Sequence, residues 1–147
     1  MPARKKTEPL YFNRELSLLQ FNERVLAMAE RPDTPALERL RYVCIVGSNL
    51  DEFFEIRVSS LKAQIAQHPH LMGPDGLTIE EAFERVQQDV HVLVAKQYAL
   101  LNEKVLPALK AEGVVLHHAA DWNTTQKKWA REVFHRDVMP LLTPIGL

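Results

Sequence analysis

The chain has 147 residues, 46% of them hydrophobic, which is enough for one buried core, or for one domain and part of another. Its formal net charge of −1 excludes the overall electrostatic pull with which a basic protein meets nucleic acid or an acidic membrane. A single cysteine, Cys44, excludes an internal disulfide.

No apolar segment follows the basic tract Arg4-Lys5-Lys6, so the N-terminus does not read as a secretory signal. No apolar run approaches the roughly 20 residues that span a bilayer. The expectation is a cytoplasmic protein with no membrane span, and peripheral membrane association stays open. Residues 1–10 read as a mobile arm. Cys44 lies in Tyr42-Val43-Cys44-Ile45-Val46 and reads as a small buried hydrophobe.

Most of the chain reads as helix. Ser17 with Gln20 forms a capping-box pattern, and Leu16 with Phe21 has the spacing of a hydrophobic staple. Leu18, Phe21, Val25 and Met28 then recur at helical spacing, with Leu19, Leu26 and Ala29 beside them, until Arg31-Pro32-Asp33 ends the helix. Thr34 as cap and Pro35 in the first turn open a second helix, with Leu37, Leu40, Val43 and Cys44 as its core face. Gly47-Ser48-Asn49 reads as a break. Ser48 then caps a third helix whose apolar stripe is Leu50, Phe54, Val58, Leu61 and Ile65, with Asp51 and Glu52 near its positive dipole end.

Residues 68–76 are a loop by composition. Thr78 and Glu81 form a capping box at the head of a long helix. Ile79, Val86, Leu93 and Leu100 recur every seven residues, with Phe83 and Val90 between them, which predicts antiparallel packing in a bundle. Pro107 should kink or fray the helix, and Gly113 should cap it. Val114-Val115-Leu116-His117 is strand-like, and Asn123 can cap a further helix through Trp129, Val133 and Phe134. The fold class is therefore all-α. An antiparallel helical bundle with a long C-terminal helix occupies residues 1–113. The start of an α/β domain, cut from a longer protein, follows at 114–147.

No complete active site is legible. The five glycines form no phosphate-binding loop. Glu132-Val133-Phe134-His135 has a di-iron spacing but lacks the second such motif and the two further glutamates that site needs. The six histidines, His68, His70, His91, His117, His118 and His135, read as solvated surface groups. Asp51, Glu52 and Glu55 read as first-turn helix acids, with Arg57 a neighbour for pairing. Asn49 has two open readings, as a helix cap or turn residue and as a ligand contact, because its amide offers donor and acceptor together.

Tyr11-Phe12-Asn13-Arg14-Glu15-Leu16-Ser17-Leu18-Leu19-Gln20-Phe21-Asn22-Glu23-Arg24-Val25-Leu26 resembles the opening signature of the bacterial polyphosphate kinases. Pro35 to Arg57, with Leu-Glu-Arg-Leu-Arg-Tyr and Ser-Asn-Leu-Asp-Glu-Phe-Phe, resembles their second block at the expected separation. The resemblance covers about residues 8 to 113, and the tail from Val114 resembles the start of that family's head domain.

The resemblance implies an enzyme that moves the terminal phosphate of ATP reversibly onto polyphosphate through a phosphohistidine. The histidine and the magnesium-binding residues belong to domains outside this chain, and no histidine here matches. It implies that Asn49 contacts ATP, and that catalytic and metal-binding residues are absent from this stretch. It also implies ATP, ADP and polyphosphate as ligands of the whole enzyme, the remaining domains of the same chain as partners, and a homo-oligomer. Taken alone, residues 1–147 should be catalytically silent. The alternative is a helical protein-interaction module with no nucleotide role.

Overall fold

The computed structural model describes residues 11–143. The expected mobile arm at 1–10 lies outside them, as does the end of the apolar run from Pro144. The chain divides into two compact units, Met1–Glu112 and Gly113–Leu147.

Among the described residues, three helical rods build the first unit. Helix α1 spans Arg14–Glu30. The second rod joins α2 (Ala36–Glu52) to α3 (Ser59–Gln67), and the third joins α4 (Ile79–Leu100) to α5 (Leu106–Ala111). A π-helical turn bridges each pair, Phe53–Val58 in the second rod and Leu101–Val105 in the third. Contacts between rods fix their directions. Arg39 donates to the Ala29 carbonyl and Asn49 to Asn22, so α1 and α2 run antiparallel. Asn13 donates to Asp75, just ahead of α4, while Glu30 pairs with Lys96, so α1 and α4 run the same way. The core between them is Leu19, Leu26, Val43, Val46, Leu50, Phe53, Val86, Leu93 and Val105 with their neighbours.

The expected bundle is present, with several corrections. Helix α1 starts ahead of Ser17, because the Asn13 side chain accepts from the Leu16 amide at 3.0 Å and acts as the cap. Ser17 therefore sits inside the helix, donating to the Asn13 carbonyl, and Phe21 is exposed instead of stapled. The second helix begins one residue late, with Pro35 as cap, and the Thr34 hydroxyl turns back to the Met28 carbonyl. Gly47-Ser48-Asn49 is no break. A lone glycine costs a helix only about 1 kcal/mol, and the packed stripe on either side carries α2 through it. Cys44 is exposed, because it follows Val43 and turns about 100° away from the buried face. Leu37 is exposed as well.

The Thr78–Glu81 capping box and the heptad stripe of α4 are as expected. Pro107 neither breaks nor frays its rod, since the turn before it widens instead, and Leu106 donates to Leu101, five residues back. Gly113 follows α5 with φ +85, the left-handed conformation that favours glycine at a helix end.

In the second unit, Asn123 and Gln126 form a capping box at the start of α6 (Thr124–Val133). A π turn, Phe134–Val138, and a short 3₁₀ turn, Met139–Leu141, follow. The strand expected at 114–117 is not formed. A strand needs an edge to pair with, and among the described residues the sole bridge joins Met72 to Thr78. No helix among the described residues is long and apolar enough to cross a membrane.

Candidate functional site

An open cleft of about 210 Å³ lies where α1 meets the second rod. Leu18, Phe21 and Asn22 line it from α1; Asn49, Glu52, Phe53, Ile56 and Arg57 line it from α2 and the π turn. On α2 and beyond, 49, 52, 53, 56 and 57 follow the helical neighbour pattern, so one face supplies that wall.

The floor is a chain of amides. Asn22 donates through Nδ2 to the Leu18 carbonyl at 3.0 Å, and Asn49 donates through Nδ2 to Asn22 Oδ1 at 2.8 Å. Asn22 is buried, and Asn49 is half-buried. Among the described residues no buried side-chain nitrogen or oxygen lacks a partner, so the Asn49 Oδ1, which accepts no protein bond, is open to solvent. A flat apolar group laid on Leu18, Phe21 and Ile56 meets one acceptor and one spare amide proton at Asn49. The Glu52 carboxylate and the Arg57 guanidinium add one charge of each sign to the same lining.

Residues 11–117 match the family described as the polyphosphate kinase N-terminal domain. This chain belongs to that family. The curated polyphosphate kinases of Burkholderia multivorans and Paraburkholderia phytofirmans are 50% and 48% identical to it over 135 residues, which is 92% of this chain and 20% of each of theirs. The crystal structure of polyphosphate kinase from Porphyromonas gingivalis matches with a TM-score of 0.73 at 28% identity, over 92% of this chain and 19% of that one. The chain thus spans about a fifth of the length of the polyphosphate kinases it matches.

Within this N-terminal domain the acids singled out by sequence do not act as helix starters. Asp51 and Glu52 sit at the end of α2 and are exposed, Ser48 caps nothing, and no ion pair links Arg57 to Glu52 or Glu55. Glu132 and His135 are exposed, and the described residues hold no group of three or more histidine, cysteine or acidic side chains able to hold a metal.

Sequence reasoning missed Asn22. The signal was present: it is a polar residue within the buried stripe Leu19, Asn22, Leu26, Ala29. Gln97 has the same signature between Leu93 and Leu100, and it donates to the Val43 carbonyl at 3.0 Å, tying α4 to α2.

Proposed function

We propose that the cleft at Asn49 is one wall of the ATP site of a polyphosphate kinase and that it touches the base. The whole enzyme reversibly transfers the terminal phosphate of ATP to polyphosphate, as a homo-oligomer, through a phosphohistidine outside this chain. The observation that carries the reading is the solvent-open Asn49 Oδ1 over an apolar cleft, at the position where the family resemblance expects an ATP contact.

An adenine edge presents an amino donor beside a ring acceptor. The Asn49 oxygen accepts from the first, and its spare amide proton donates to the second. The cleft is smaller than the ~300–1,000 Å³ of a closed ligand pocket, which suits a single wall completed by the remaining domains. Magnesium and the phosphate chain fall to those domains as well, since among the described residues no carboxylate cluster offers magnesium its oxygen ligands.

The test is ATP titration of the full-length protein carrying Asn49→Ala. Loss of one hydrogen-bonded contact weakens apparent affinity by about five- to tenfold. Unchanged affinity removes the role of Asn49 and favours the interaction-module alternative.

A further inference from the structure

Asn22 is 3% exposed in a stripe that is otherwise apolar. A buried amide costs free energy unless its groups are bonded, and here the bonds leave it one orientation. The Leu18 carbonyl can only accept, so Asn22 Nδ2 must face it. Asn22 Oδ1 then points across to α2, where it too can only accept. Asn49 must therefore turn its Nδ2 inward, at 2.8 Å, and its Oδ1 outward.

We propose that Asn22 is a positioning residue that locks the Asn49 carboxamide with its oxygen toward the cleft, and so selects an amino-bearing base, adenine, over an oxo-bearing one, guanine. This rests on the nucleotide-wall reading above. A free carboxamide turns over at little cost and offers either its nitrogen or its oxygen, so it accommodates both bases. A locked one fixes the oxygen opposite the 6-substituent and leaves the spare amide proton only for the ring position beside it. That oxygen accepts from the 6-amino group of adenine, and it meets the 6-oxo group of guanine lone pair against lone pair.

The experiment compares kcat/KM for ATP and for GTP in the full-length enzyme carrying Asn22→Leu, Asn22→Asp or Asn49→Ala. Leucine fits the apolar stripe and releases Asn49, so the ATP-to-GTP ratio falls about tenfold, one hydrogen bond's worth, with GTP gaining. Aspartate rescues the ratio: buried, it is held neutral, its O–H replaces the donor to Leu18 and its second oxygen still accepts from Asn49. Should Asn22→Leu melt early, Asn22→Ala carries the same comparison. An unchanged ratio in the apolar variants, with Asn49→Ala still weakening ATP, overturns the positioning role and leaves the nucleotide wall standing. No effect of Asn49→Ala on ATP overturns both.

Discussion

Phe53 and Val58 belong to one buried stripe although they lie five residues apart. An α-helix would bring Phe53 into line with residue 56 or 57. The π turn adds a residue's worth of backbone, marked by the Ser59 amide bonding the Phe54 carbonyl five residues back, and so keeps α3 in phase with α2. Phe53 is consequently 4% exposed and Phe54 46%. Phe53→Ala should cost about 3–5 kcal/mol in chemical denaturation. Phe54→Ala should cost about 1 kcal/mol, chiefly from its edge-on contact with Phe53. The reverse order would mean that the helix is not widened there.

Gly47 lies inside α2, with the Gln97 side chain opposite. A β-carbon there would meet Gln97 Nε2 at 3.5 Å, ordinary contact, and no other atom within 4 Å. Gly47→Ala should therefore stabilise the domain by about 0.5–1 kcal/mol, the helix penalty of glycine. The measurement is the denaturation midpoint. Destabilisation would show that the rod needs a hinge at this point.

The bundle was legible where the physics is local. Thr78 with Glu81 and the seven-residue repeat of α4 signal themselves within a few residues. The phase of the stripes was not legible, because periodicity arguments assume an unbroken 3.6-residue turn. Pro107 and Pro140 give a clue to two of the widened turns. A proline ring clashes with the carbonyl four residues back, and in both cases the preceding residue, Leu106 or Met139, bonds five residues back. The turn at Phe53–Val58 contains no proline, so the sequence spacing points Phe54 inward, whereas the fold buries Phe53. Asn49 was legible as a suspicious amide. Its partner lies 27 residues away on another helix, a tertiary fact that no spacing encodes.

Cys44 lies in the regular part of α2, ahead of the widened turn, so its exposure has a different cause. The apolar run around it suggests burial, yet it lies beside the core face and is exposed. The folded protein should react with a thiol reagent within a few-fold of the rate of the urea-unfolded chain. Protection by orders of magnitude would contradict the orientation of α2.

The capping box at α4 makes stability depend on pH. The Thr78 backbone amide donates to Glu81 Oε2 at 2.8 Å, and the Thr78 hydroxyl accepts from the Glu81 amide at 3.1 Å. The amide bond foremost, then the Thr78 side chain, then the charge of Arg85, hold the Glu81 carboxyl below its ordinary range. A carboxyl whose folded pKa is depressed contributes stability above its unfolded pKa and loses it as pH falls through the folded one. The domain should therefore lose part of its stability on acidification through and below the ordinary glutamate range, and Glu81→Gln should flatten that part of the profile, since glutamine keeps the acceptor without the charge. Thr78→Ala removes the other half of the box and should cost about 1 kcal/mol at neutral pH. Urea unfolding of the three proteins across that range measures both effects. A Glu81→Gln profile that parallels the native one would show that the carboxylate charge is not what the helix start uses.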